Sequence, residues 1–214
     1  MKKIKNHQFV CNKIIVIIVV MLMFYINAFA QPNNVKLIDN EEKKSIENKL
    51  IESSQNIKSL QCNFKQEKTS TLLTEKSVFT GKLSYNAPLF LKWEYNSPLD
   101  FALIIDKNEI YIQNENGTNS NSNKMFKYLG EMIISVINGN ILTDTKNFKT
   151  EYYNNEKDSE TIIVKLIPVQ KRVKDIFSAI QIKIDTKNWL ANEIFMDEKS
   201  GDTTIIFLTH IKVN

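Results

Sequence analysis

Hydrophobic and polar residues alternate with a period of two along ten segments of this chain. The pattern is clearest between Gly81 and Pro98 (GKLSYNAPLFLKWEYNSP). There, Lys82 to Tyr85 and Leu89 to Tyr95 form two strand-like runs, parted by the turn signal Asn86-Ala87-Pro88. In the second run Leu89, Leu91, Trp93 and Tyr95 share one face, while Phe90, Lys92 and Glu94 share the other. A strand with large apolar groups on one face and charges on the other borders something apolar, either core or cargo. Comparable signals predict strands at about 60–69, 76–85, 89–95, 101–105 and 109–114, in meander-like succession. A second series follows at about 147–154, 160–168, 179–185, 190–197 and 202–210.

Two segments carry a helical period instead. Residues 39–60 place Ile46, Leu50, Ile57 and Leu60 near one stripe, with Asp39 or Asn40 as cap and Glu41 and Glu42 at the positive N-terminal end. From Lys124 to Asn138, Met125, Phe126, Leu129, Met132, Ile133, Ile134, Val136 and Ile137 make the helix apolar around most of its circumference, and Gly139 is a natural stop. Such a helix must be covered on several sides. It is either a core helix or a lid over an apolar cavity, and the residues alone favour the core.

Between these elements, residues 31–38 read as a poorly structured leader. Asn114 to Asn123 reads as a polar loop, and Gln170 to Asp175 as a charged connection. Asn116-Gly117-Thr118 has the form of a glycosylation sequon but carries no expected role. The expected architecture is mainly β with two helices. Residues 39–214 form one domain, an incomplete (open) antiparallel barrel covering an apolar cavity, with helices as lid.

The N-terminus changes the charge argument. Lys2, Lys3, Lys5 and Lys13 precede an apolar run from Ile14 to Ile26, then the small-x-small pattern Ala28-Phe29-Ala30. The run is shorter than the ~20 residues of a spanning helix. Residues 1–30 are therefore expected to be a cleaved signal peptide, with an uncleaved anchor as the alternative. Periplasmic export without a stable membrane anchor follows. The full chain holds 28 Lys+Arg against 24 Asp+Glu; without the four signal lysines it is 24 against 24. No basic face remains to argue for nucleic acid.

Candidate chemistry is thin. Without Cys11 of the signal segment, Cys62 is alone, so no intrachain disulfide is expected. It reads as a small buried hydrophobe, with a reactive thiol as the alternative. His210 is the one histidine beyond the signal segment and makes no zinc cluster, and no G-x-S-x-G elbow accompanies it. Five glycines hold no phosphate loop. Asp197, Glu198 and Asp202 could pair as carboxylates, but the segment reads better as a hairpin turn with Gly201 at positive φ. Neither an enzyme, a metal site nor a cofactor is expected.

Phe64, Gln66, Glu67 and Lys68, then Gly81, Leu83, Pro88 and Trp93, follow one another in an order that resembles the periplasmic outer-membrane lipoprotein carrier proteins (LolA-like). So do Leu166, Pro168, the run Ile180 to Asp185 and the close Gly201 to Phe207. The likeness spans most of residues 45–214, although each motif alone is only a strand pattern. It implies a monomeric carrier that shields the acyl chains of lipoproteins, taking them from an inner-membrane donor complex to an outer-membrane acceptor. It also moves the lid reading ahead of the core reading. Phe64, Leu83, Leu91, Trp93, Met132, Ile133, Val136 and Ile137 are then the expected wall and lid. Carriers of the pattern's type bear an arginine directly before the proline, where it helps hold the lid shut; in this chain that residue is Ala87. The departure leaves two alternatives open: a shuttle for another lipid, glycolipid or pigment-lipid, or a structural or regulatory binding module. An unfilled pocket of several hundred Å3 is the mark expected of a carrier.

Overall fold

The computed structural model describes residues 35–72, 75–107, 109–115, 117–120 and 124–214, and for 118–120 and 124–129 the backbone alone. The expected signal segment and the side chains of Met125, Phe126 and Leu129 therefore lie outside the described part. The chain divides into two units, and the first, up to Val35, falls almost wholly outside it.

In chain order the elements are β1 (Val35–Leu37), α1 (Asn40–Gln55), β2 (Ser59–Thr69), β3 (Ser77–Asn86), β4 (Phe90–Ser97), β5 (Phe101–Asp106), β6 (Glu109–Asn114), β7 (Gly117–Ser120) and α2 (Lys124–Ile137). A 3-10 turn (Asn140–Thr143) leads to β8 (Phe148–Asn155), β9 (Thr161–Pro168), the one-turn helix α3 (Lys171–Lys174), β10 (Phe177–Asp185), β11 (Leu190–Glu198) and β12 (Thr203–Val213). The strands form one sheet in the order β1-β8-β9-β10-β11-β12-β2-β3-β4-β5-β6-β7. Its end strands are not paired with each other, so the barrel is open.

The ten expected strands are present, most with ends within two residues of the expectation; β12 runs three residues further. Two strands were not expected. Val35–Leu37 forms β1 where the leader was read, and just beyond it Ile38 is buried and donates its N–H to the Tyr152 carbonyl at 2.9 Å. Gly117–Ser120 forms β7 inside the polar loop, paired with β6 through Asn114 and Gly117. Neither strand had a run of alternating apolar residues long enough to show a period; ladder hydrogen bonds define them. The charged connection also contains α3, anchored by the fully buried Val173.

Pairing of β12 with β2 joins the two meanders, from Thr203 opposite Thr69 to Val213 opposite Leu60. The chain end is tied in the same place: Asn214 donates to the Ser59 carbonyl at 3.0 Å and accepts from the N–H of Lys58 and Ser59. A bulge between Thr209 and Lys212 lets β12 bend, with His210 at φ 54°.

Asp39 caps α1, accepting from the N–H groups of Glu41 and Glu42 at 3.0 and 2.9 Å. Its buried stripe is Ile46, Leu50 and Ser54; the helix stops at Gln55, so Ile57 and Leu60, expected on the stripe, are buried instead from the connection and from β2. α2 lies against β5 and β11, five places apart in the sheet order, so the sheet curls around it. Gly130 marks the close approach: a Cβ there would collide with Ile105 Cδ1. Gly139 ends the helix with φ 74°, as expected.

Candidate functional site

The interior is built from alternation. β2 turns Cys62 and Phe64 inward, β3 turns Leu83, and β4 turns Leu91 and Trp93, the last two of them on the face read from sequence. Leu89 precedes its strand and is exposed. The inward aromatic groups form a chain of rings. Phe64 meets Trp93 and Tyr95 edge-on at 5.2 Å each, Trp93 stacks near-parallel on Tyr95 at 6.1 Å, and Tyr95 stacks on Phe101 at 4.6 Å. The Tyr95 hydroxyl donates to Gln66 Oε1 at 3.0 Å, and burial pushes its pKa up to about 12. Gly81 is required where the Phe64 ring passes it, because a Cβ there would strike the Glu94 carbonyl oxygen and the ring.

Two apolar cavities lie between this sheet and the helices. The first, about 60 Å3, is lined by Leu83 and Trp93 together with Ile133, Val136 and Ile137 of α2; Ile182 and Leu208 face them from the other meander. The second, about 210 Å3, lies against Trp93, Tyr95, Phe101, Met132 and Ile133 and is edged by Gln66, Lys68 and Glu198. Trp93, Ile133, Ile194 and Ile206 line both and so form the partition.

Six of the eight residues expected at a cavity therefore reach one: Leu83, Trp93, Met132, Ile133, Val136 and Ile137. Phe64 and Leu91 do not. Phe64 is spent on packing against Trp93, Tyr95 and Gly81, and Leu91, fully buried, sits near the close approach of Gly130. Both point inward as the period requires, but a neighbouring group fills the space in front of them. The sequence reading missed the opposite wall, Ile182, Ile194, Ile206 and Leu208; the alternation of their strands carried the signal, but not which strands would face β4.

One expectation is corrected. Among the described residues the two apolar cavities each lie below the ~300 Å3 of ordinary ligand sites, short of the several hundred Å3 expected, with Met132, Ile133, Val136 and Ile137 of α2 in their lining. The part of the α2 circumference left out of the apolar surface is a polar strip. Glu131, Ser135 and Asn138, spaced four and three residues apart, line a polar-edged groove of about 220 Å3 on its other side, with Leu89 and Lys107.

The remaining candidates have structural partners. Cys62 is buried and burial pushes its thiol up to about 12, so it stays a neutral wall group. Asp202 accepts from the Thr71 N–H at 3.0 Å and from the hydroxyls of Ser70 and Thr71, which hold its carboxyl below the usual range. Glu198 pairs with Lys68 at 3.4 Å, and Gly201 takes φ 89° in the turn. These carboxylates tie the β11–β12 turn to the β2–β3 turn. Among the described residues no three of His, Cys, Asp and Glu converge as metal ligands, and no helix is long and apolar enough to cross a membrane.

Comparison with curated proteins gives no match. Among solved structures, a LolA superfamily protein from Nitrosomonas europaea is similar at 11% identity and TM-score 0.42, over 80% of this chain and 93% of that one. The Mycobacterium tuberculosis lipoprotein LppX is similar at 11% identity and TM-score 0.47, over 82% and 99%. MucA/MucB of Pseudomonas aeruginosa is similar at 8% and 0.44, over 80% and 56%. None of these likenesses bears on what the chain does. A family model does: the one described as outer membrane lipoprotein carrier protein LolA matches residues 55–214, from the end of α1 through both meanders to the last residue of β12 and beyond. With three quarters of its length so matched, the chain belongs to the LolA family.

Proposed function

We propose that this protein is a periplasmic carrier of acylated lipoproteins, which shields their acyl chains between α2 and the inner face of the sheet while they pass from inner to outer membrane. The observation that carries the reading is the family match over a domain that holds two largely apolar cavities, with Ile133 the α2 residue in the partition between them. Leu83, Trp93, Met132, Ile133, Val136 and Ile137 are its wall and lid. An acyl chain contributes about 0.8 kcal/mol per buried methylene, so a diacyl or triacyl anchor sums past the ~20 kcal/mol ceiling of noncovalent affinity against water. Transfer must therefore run between apolar environments, from a donor to the cavity and on to an acceptor. In the closed form the lid's own side chains hold the place of the cargo. Ala87, where carriers of the type bear arginine, supports a lid that opens easily; it also supports the second reading, a shuttle for another acylated lipid.

The test is a charge on the lid. Val136→Asp, at a half-buried position, and Ile133→Asp, at the partition, are each expected to abolish uptake of a fluorescent acyl probe while leaving the sheet's far-UV circular dichroism in place, because an unpaired carboxylate is costly in an apolar site. Unfolding of both variants would make α2 an ordinary core helix. Uptake equal to wild type would remove the lid.

A further inference from the structure

Trp93 holds a polar group that the packing does not use. Its side chain is 5% exposed, its Nε1 is sealed from solvent, and that N–H has no acceptor among the described residues. The other inward polar tip of the ring chain, the Tyr95 hydroxyl, is satisfied by Gln66. Buried donors are almost always paired, since losing the water bond without replacement is unfavourable, so an orphan on a residue that lines two apolar cavities calls for a reason. Tryptophan has no acceptor capacity at all; the one thing its indole can do is donate.

The position supplies the reason. Trp93 belongs to the partition between the two cavities, and Ile133 is the α2 residue that lines both with it. If Ile133 withdraws with the helix, the two spaces join and Trp93 stands at the join. The chamber's other partition residues, Ile194 and Ile206, offer a guest no polar contact. We infer that Trp93 Nε1–H is a cargo-anchoring donor, which takes the ester or amide carbonyl at the head of an acyl chain once α2 moves aside. This rests on the carrier reading and deepens it. The closed form then holds an unsatisfied donor that the loaded form satisfies, which favours exchange of the lid for cargo. It also gives the chamber a chemical preference, acyl over alkyl, that apolar burial cannot provide.

Two lipid pairs test it, each an ester-linked compound and its ether-linked counterpart of equal chain length: a peptide with a diacylglyceryl cysteine against its dialkyl form, and a diacyl phospholipid against its dialkyl form. Both pairs share the burial; only the esters carry the carbonyl. For the purified full chain the ester member is expected to bind about ten-fold more tightly, the effect of one satisfied buried hydrogen bond. The pair that shows the preference identifies the source of the carbonyl, an anchored peptide or a free lipid. Trp93→Phe keeps a ring in the stack and is expected to bring ester and ether to equal affinity. In the wild type the Trp93 indole proton should move downfield with the ester and not with the ether. Should Trp93→Phe fail to fold, the wild-type pairs and the proton shift still decide. Equal binding of ester and ether by the wild type, with no shift, overturns the anchor and leaves the carrier standing; binding of neither overturns both.

Discussion

The two halves of the sheet wall the same interior with different side chains. β9, β10 and β12 present mainly branched aliphatic groups, of which Val164, Leu166, Ile180, Ile182 and Ile206 are at most 2% exposed, with Phe177 the one buried aromatic ring among them. β2 to β5 present Phe64, Trp93, Tyr95 and Phe101. Aliphatic groups interdigitate on a pleated surface and leave little room. Rings meet edge-on or in stacks, and gaps remain at their rims. The larger cavity lies against Trp93, Tyr95 and Phe101, and the unpaired donor is on the same wall. In the proposed carrier the aliphatic half is the fixed wall, and the aromatic half is the side against which a guest would be taken up.

That contrast can be broken most directly in the aliphatic half. Leu166→Ala should cost about 2–5 kcal/mol in urea unfolding, because the side chain is fully buried and its loss leaves a cavity in the packed core. Acyl-probe uptake per folded molecule should not change. A cost below about 1 kcal/mol would erase the distinction between the halves.

On the aromatic side, Gly81→Ala should cost about 3 kcal/mol in thermal unfolding, since the new Cβ meets the Glu94 backbone oxygen as well as the Phe64 ring. Stability equal to wild type would mean that β3 and β4 can spread there. Ala87→Arg sharpens the same side. A guanidinium that reaches lid carbonyls adds about 1.5–3 kcal/mol to the closed form, so stopped-flow uptake of the probe should slow about ten-fold or more. Equal or faster uptake places the gate elsewhere.

The smallest effect concerns the turns that close one end of the sheet. Thr71 and Ser70 hold the Asp202 carboxyl below its ordinary 3.8. A carboxyl with a depressed folded pKa stabilises the fold above its unfolded value and loses that contribution as pH falls through the folded one. Wild-type stability should therefore fall as the pH drops below 3.8, and Asp202→Asn should flatten that part of the profile. An unchanged acid slope would show that the two turns are held by their backbones alone.

Most of this fold was legible, because ten strands carry a period of two and all the turns within the two meanders but the β2–β3 turn carry Gly, Pro, Asn or Asp. β1 and β7 were not, being too short or too polar for a period to emerge. The site was half legible. Inward-facing residues could be named from alternation, but alternation does not say what stands in front of them. It could not tell Leu83, which meets a cavity, from Leu91, which lies near Gly130 of α2.

By itself the sequence determined most of the residues that face inward and where α2 stops, since these follow from local periods and a glycine stop; the family rests on the resemblance of the ordered motifs and on the family match. Only the tertiary structure decided that β12 pairs with β2, more than 130 residues away, and so which wall faces which. It alone decided that α2 lines both cavities and that the Trp93 Nε1–H is buried with no acceptor among the described residues. The reason is physical: period and propensity are written in neighbours along the chain, whereas cavity volume and hydrogen-bond satisfaction depend on atoms that meet only after the sheet has curled.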